Sequence, residues 1–312
     1  MRITLATAGG FGDTQPFIPL GQALQRAGHE VSVLCVGELA GWIESYGLPT
    51  LPYDWSVAQA LQPELMEAWQ SADDVRHKEV IAIWAKQIAE AAVDPLEEAM
   101  ATSDAAVVGS IVMPLALQVH ARHRRPMAFL QHTPSFATRR GDSHFGAPDS
   151  RRRWRYLLDG MRASAGMLDA LMPGLEVAAD RLGERPLSPA ALWRTLLTTP
   201  MFTAVSPVLA PAHARNPWLP TTGYLFLHSN TTLSPEVRSF VDAGDAPVFR
   251  ARLNHVNHGS RAHRADAGFG SGHRWTGDRA TAGGRRRIRL RPEARAVHRV
   301  RALRPTVRAL LC

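Results

Sequence analysis

Apolar positions along this chain follow two rhythms. Short consecutive apolar runs alternate with longer stretches of period near 3.6, which predicts strands alternating with helices in a layered α/β domain. Ile3 to Ala8 is β-rich and apolar on both faces, the pattern of a strand buried in a parallel sheet. A glycine turn, Gly9-Gly10-Phe11-Gly12-Asp13, leads into a helix carrying Phe17, Leu20, Gly21 and Leu24 on one face and closed by Gly28, with Asp13 or Thr14 as its cap. Glu30 to Val36 returns to strand character, completing a β-α-β unit of the doubly wound kind. Gly47-Leu48-Pro49 breaks the chain. Residues 63 to 100 then read as sheet-covering helices with Leu65, Trp69, Val80, Ile83, Trp84, Ile88 and Ala91 as apolar positions.

Ala105 to Ser110 predicts the next buried strand, Leu115 to Arg124 a helix stopped before Pro126, and Met127 to Leu130 a strand running into Gln131-His132-Thr133-Pro134. Arg139 to Arg155 reads as polar loop, and Tyr156 to Leu182 as helix with a break at Pro173-Gly174. Met201 to Val205 and Gly223 to Leu227 read as the last strands. The expected fold class is therefore α/β: a Rossmann-like, doubly wound parallel sheet followed by an irregular basic tail. The polar turn in composition from His228 to Asp245 places a boundary near Asn230. This gives a domain over 1–228, a linker with the opening strand of a further domain over 229–249, and a tail over 250–312. That tail sustains no period, and only Val300, Leu303, Val307 and Leu310 hint at helical spacing.

Composition sharpens the boundary. The 312 residues are 45% hydrophobic and 21% charged, which excludes wholesale disorder and fibrous repeats. The net charge of +8 is unevenly spread, because residues 250–312 hold sixteen Arg, no Lys and three acids (Asp266, Asp278, Glu293), a balance of +13 that leaves −5 for the rest. Two cysteines, Cys35 and Cys312, form no disulfide framework or paired metal motif, and Cys35 reads as a small buried hydrophobe. The start is too brief for a secretory signal. The longest weakly polar run, Ala105 to Val119, carries Pro114 and Gln118 and falls short of the ~20 residues that cross a bilayer. The expectation is a cytoplasmic protein.

Candidate chemistry concentrates at the first turn. Gly9 to Gly12 lacks the G-x-G-x-x-G spacing of a dinucleotide cradle, and Asp13 would repel a phosphate there, so no cofactor is expected. A carboxylate at the end of the first strand has two readings. It is a helix cap, or it is a general base in the crevice where open α/β sheets bind ligands.

Met1-Arg-Ile-Thr-Leu-Ala-Thr-Ala-Gly-Gly-Phe-Gly-Asp-Thr-Gln-Pro-Phe-Ile-Pro-Leu-Gly-Gln-Ala-Leu, followed by Ala27-Gly-His-Glu-Val, resembles the amino terminus of GT-B glycosyltransferases, in the branch with sterol glucosyltransferases and antibiotic aglycone glycosyltransferases. Phe202-Thr-Ala-Val-Ser-Pro-Val-Leu, Thr222-Gly-Tyr-Leu-Phe-Leu and Asp242-Ala-Gly-Asp-Ala-Pro-Val-Phe resemble later segments of the same family, so the resemblance covers residues 1–249. It implies that residues 1–228 hold a small hydrophobic acceptor, that a following domain holds a nucleotide-sugar as donor substrate, and that Asp13 activates the acceptor hydroxyl. Gly12 and Thr14 would flank that step. Gln131, His132, Thr133 and Phe136, after another strand end, are candidate acceptor contacts, the other reading being ordinary turn chemistry. No metal ligand set is visible. His120 and His123 read as surface residues without a carboxylate partner. Arg151, Arg152, Arg153 and Arg155 read as a solvated face, or as a patch for an acidic acceptor or a membrane surface.

After Pro247-Val248-Phe249 the family pattern stops. The expected G-x-G-S turn and the later His-Gly-Gly segment are out of place, Gly268-Phe269-Gly270-Ser271 being about 20 residues late. Arg250-Ala-Arg-Leu can be encoded as CGG GCT CGG CTC followed by the AA of the Asn254 codon; shifted by one base it reads Gly-Leu-Gly-Ser. Together with the Lys-free, Arg-rich tail, this predicts a frameshift near codon 250. His255, His258 and His263 are then accidents of frame, and the sixteen Arg bind nucleic acid only nonspecifically. The expected function is that of a truncated glycosyltransferase-family chain, inactive alone, with a hydrophobic-ligand-binding module or a basic-tail nucleic-acid binder as the alternatives.

Overall fold

A computed structural model describes residues 1–70, 74–133, 153–208, 210, 220–228 and 232–243. Six strands form one parallel sheet: β1 (Arg2–Ala6), β2 (Glu30–Val36), β3 (Thr50–Tyr53), β4 (Ala105–Gly109), β5 (Met127–Gln131) and β6 (Met201–Thr203), in the order β3-β2-β1-β4-β5-β6. The described helices are α1 (Phe11–Thr14), α2 (Phe17–Arg26), α3 (Gly37–Glu44), α4 (Val57–Ala60), α5 (Pro63–Gln70), α6 (Asp74–Thr102), α7 (Met113–His123), α8 (Arg153–Arg181), α9 (Pro189–Thr198) and α10 (Pro235–Asp242). The doubly wound reading stands: the order reverses at β1, so the chain crosses the sheet in both directions and leaves a crevice at the strand ends.

Each face of the sheet has its own core. Phe17, Ile18 and Leu24 of α2 and Leu39 and Ile43 of α3 pack with Leu5 and Val33 on one side. Ile88, Val93, Leu96 and Met100 of α6 join Leu115 and Leu117 of α7, Leu175 of α8 and Leu192 of α9 on the other. β1 and β4 are buried nearly throughout, as residues with apolar layers on both faces must be. Cys35 is fully buried in the α2–α3 layer, and burial pushes its thiol up to about 12.

The structure departs from the sequence reading at several places. β3 and α3 were not anticipated; β3 is an edge strand of four residues, two of them exposed, and so lacks the continuous apolar run that marks β1. Ile83 is exposed, because the interior stripe of α6 passes through Val80, Trp84, Ala85 and Ile88 instead. The side chain of Trp69 lies outside the described residues. Pro173-Gly174 does not break α8, which runs unbroken from Arg153 to Arg181. A Cβ on Gly174 would sit 2.6 Å from the carbonyl oxygen of Ala85, so this glycine permits close approach of α8 to α6. Gly223 to Leu227 is not a strand. Burial there still alternates with period two, Leu225 and Leu227 packing on the core beneath exposed Tyr224 and Phe226, but only Thr221 forms a bridge, to Thr203. His123 is not a lone surface residue: its Nε2 lies 3.0 Å from Glu97 Oε1 of α6, and Arg122 reaches both Glu97 and Glu184.

Among the described residues no helix is long and apolar enough to cross a membrane. The tail 250–312, Arg151 and Arg152, and residues 229–231 and 244–249 of the linker lie outside the described residues. The side chain of Arg155 is exposed.

Candidate functional site

The turn after β1 is pinned before any ligand arrives. Thr7 N–H donates to Leu34 O at 3.0 Å, and the Tyr53 hydroxyl at the end of β3 donates to Thr7 O at 3.1 Å. Burial, with the negative charge of Asp13 adding to it, holds that phenol well above its ordinary value, so Tyr53 stays a neutral donor. Gly9 adopts φ +100, and a Cβ there would lie 2.3 Å from Asp13 Oδ2. Glycine is thus required twice, for the left-handed backbone and for the space the carboxylate fills.

Asp13 does not cap α2, whose N-cap is Pro16 with no side-chain bond. It sits in α1 and turns back, its Oδ2 accepting from Gly10 N–H at 3.1 Å. Neither Asp13 nor Thr14 is therefore the N-cap that the sequence reading offered: α1 begins within the glycine turn with Gly10 as its N-cap, and Asp13, three residues on, accepts the N-cap's N–H. Thr7 Oγ1 approaches Asp13 O at 3.4 Å and steadies the same residue.

The remaining oxygen makes the contact that the sequence did not foretell. His132 Nε2 lies 3.0 Å from Asp13 Oδ1. The two residues follow β1 and β5, which are separated in the sheet by β4, so the pair bridges the C-terminal ends of three strands. They are 119 positions apart in sequence. The only signal available was that each follows a predicted strand end, which puts both at one sheet edge without pairing them.

A carboxylate at Nε2 favours the tautomer with its proton there, which leaves Nδ1 an acceptor. Nδ1 of His132 is buried without a hydrogen-bond partner, and so are Thr14 Oγ1 and Gln131 Oε1. Two more such atoms, Thr203 Oγ1 and Thr221 Oγ1, belong to residues linked to Gln131 by register and bridge. An unpartnered buried polar atom costs about 1–3 kcal/mol, so a concentration of them marks a place built for water or ligand atoms. Gly12 is exposed, with open space where a side chain would stand. Thr133 is half-buried and already partnered. Phe136 lies outside the described residues. The structure thus brings Asp13, Thr14 and His132 together, with Gln131 next to His132 at the end of β5. Among the described residues no group of three or more His, Cys, Asp or Glu could hold a metal ion.

Sequence reasoning also missed an aromatic ledge beside this turn. Phe11, next to Gly12 and largely exposed, meets Trp42 of α3 edge to face with centroids 4.8 Å apart, and Trp42 meets Tyr46 at 6.1 Å.

No protein-family model matches the chain. The vancomycin aglycone glucosyltransferase of Amycolatopsis orientalis is 27% identical over 254 residues, which is 80% of this chain and 60% of that protein. A sterol 3-beta-glucosyltransferase of Pichia angusta is 45% identical over 47 residues, 15% of this chain and 4% of that protein. The chain therefore spans less than two thirds of the length of these relatives. Among solved structures, the calicheamicin glycosyltransferase matches with a TM-score of 0.51 at 16% identity, covering 75% of this chain and 55% of that one. The α/β class with a doubly wound parallel sheet was anticipated from the sequence pattern; the six-stranded sheet observed is the fold of glycosyltransferases of the GT-B type.

Proposed function

We propose that this chain is the acceptor-binding part of a glycosyltransferase that moves a hexose from a nucleotide-sugar to a hydroxyl of a lipid, sterol or natural-product acceptor. The observation that carries this reading is the Asp13–His132 contact at the C-terminal edge of the sheet, in the crevice where open α/β folds bind ligands. The names of the relatives point the same way, since one acts on an aglycone and the other on a sterol.

In the reaction the acceptor hydroxyl gives its proton to Asp13 as its oxygen attacks the anomeric carbon. The bond from that carbon to the diphosphate oxygen breaks, and the nucleoside diphosphate leaves with the electron pair. Asp13 is the general base, and His132 is a positioning residue that fixes the carboxylate while Gly10 N–H holds its other oxygen. Thr14 and Gln131 offer unpartnered oxygens to acceptor hydroxyls.

Residues 250–312 do not carry the G-x-G-S and His-Gly-Gly segments in their expected places, so transfer is assayed on a chain that includes a donor domain. Reading the gene across codons 240–265 tests the frame; one base more or less restores G-x-G-S and opens a donor domain. In the restored protein, transfer from a labelled nucleotide-sugar to sterol or polyketide acceptors is the assay. Asp13→Asn lowers kcat by about 10²–10⁴-fold, the span expected for losing a general base. Acceptor binding without transfer in the restored frame refutes the enzyme reading and leaves a hydrophobic-ligand-binding module.

A further inference from the structure

The long helix α8 outreaches the sheet it covers. Its 29 residues rise about 43 Å, whereas the five residues of β5 span about 17 Å. The far end of α8 is fixed beside the start of β5, because Arg122, five residues before Met127, donates from Nη1 to the carbonyl of Leu182 at 3.3 Å. A helix that follows β5 and leads into the parallel β6 runs antiparallel to both, so the excess of roughly 25 Å stands beyond the C-terminal edge of the sheet. That edge carries Asp13 and His132. Helix α6 runs alongside: a Cβ on Gly174 would meet the carbonyl of Ala85, and one on Gly166 would sit 3.2 Å from Lys78 Cε. This register sets the start of α6 level with Arg162, and residues 153–161 of α8 reach past it.

Two properties of the overhang select a partner. The first is charge. Between positions 151 and 162 the sequence carries five arginines and a single acid, Asp159. Residues 1–249 as a whole sum to −5, so this stretch is a basic tip on an acidic chain. Arg155 and Arg162 are exposed, and Arg162 reaches Asp159 at 3.4 Å. The second is apolar exposure beside those arginines. Leu158 is 43% and Met161 56% exposed, and spacings of three, four and seven residues put Arg155, Leu158, Met161 and Arg162 on one helical face. Val75, in the first turn of α6, is exposed at the same level. An isolated exposed leucine needs no explanation. Apolar side chains flanked by arginines on a helix that stands clear of its sheet match an anionic lipid surface, where the guanidinium groups meet phosphates and the apolar groups enter the acyl boundary. A nucleic acid would use the arginines and leave Leu158 and Met161 in water.

We propose that the α8 overhang docks the chain on an anionic membrane surface, lying on it without crossing it. Docking needs neither Asp13 nor a donor domain, so it stands or falls apart from sugar transfer.

The test uses the full chain, in which the sixteen arginines of residues 250–312 also attract anionic vesicles, so the readout reports position. Cys35 is buried, Cys312→Ser removes the other thiol, and a nitrobenzoxadiazole fluorophore is attached at Met161→Cys or, as a control, at Leu197→Cys, an exposed position of α9. With vesicles of equimolar phosphatidylcholine and phosphatidylglycerol, emission from position 161 rises and shifts to the blue, emission from position 197 stays that of water, and phosphatidylcholine alone changes neither. Leu158→Asp, at an exposed position, lowers partitioning read at 161 about fivefold or more, and Arg155→Glu combined with Arg162→Glu about tenfold. Sedimentation with vesicles while the label at 161 stays in water assigns binding to residues 250–312 and overturns the proposal. Equal responses at 161 and 197, an equal response to phosphatidylcholine alone, unchanged partitioning in the double arginine variant, or a response at 161 to a DNA oligonucleotide but not to vesicles overturns it as well.

Discussion

The interior beneath β1 and the outer edge at β5–β6 belong to the same sheet but satisfy their atoms differently. Under β1, Phe17, Leu5 and Val33 are fully buried in apolar contact, and each part of the β-α-β unit completes the next. At β5–β6 the main chain is equally well served: Ala204 N–H donates to Gln131 O at 2.7 Å, Thr203 N–H to Pro220 O at 2.9 Å, and Thr222 N–H to Thr203 O at 3.0 Å. Yet the side-chain oxygens of Gln131, Thr203 and Thr221 have no partner. The difference teaches that the backbone ladder and the hydrophobic layers make the fold, while polar side-chain valence is left open where the strands end and a ligand or water can complete it.

This contrast breaks most visibly in the interior. Phe17→Ala should cost about 3–5 kcal/mol in denaturant unfolding, the range for removing a fully buried aromatic. A loss under about 1 kcal/mol would mean that the α2 layer collapses freely around the cavity. Gly174→Ala comes next, at about 1–3 kcal/mol, since its Cβ would meet backbone of α6, which cannot rotate away as a side chain does. A neutral result would show that α6 and α8 slide apart easily.

At the open edge the sign reverses. Gln131→Leu removes a buried oxygen with no partner, and the protein should unfold at slightly higher denaturant, by up to about 1 kcal/mol of stability. Destabilisation instead would show that ordered water completes the Gln131 valence in the free protein. The smallest effect concerns Cys35. Its thiol, fully buried and held near 12 by desolvation, is protonated and inaccessible throughout the neutral range. It should stay unmodified by iodoacetamide in the native protein and react only after denaturation, as read by peptide mass.

Much of the fold was legible because its signals are local. Glu30 to Val36 reads as a strand and is one to the residue, since Val31, Val33, Leu34, Cys35 and Val36 form an apolar run between the helix-ending Gly28 and Gly37. β3 escaped because an edge strand buries little and so carries little pattern. Pro173-Gly174 misled because the local rule for breakers is overridden where a helix needs a gap for its neighbour. In the site, Asp13 and His132 were each visible at a strand end, but their pairing was not.

The order of residues by itself determined that this chain would wind an α/β sheet, that its first turn would hold a glycine-flanked carboxylate, and that composition would change after residue 249. Periodicity and turn chemistry act between neighbours, and neighbours are what a sequence displays. Only the tertiary structure decided that Asp13 would meet His132 across β4 and that Gln131 would share its open valence with Thr203 and Thr221. Those juxtapositions depend on strand order and register, which follow from packing the whole sheet between its two helical layers and are encoded at no single stretch of the chain.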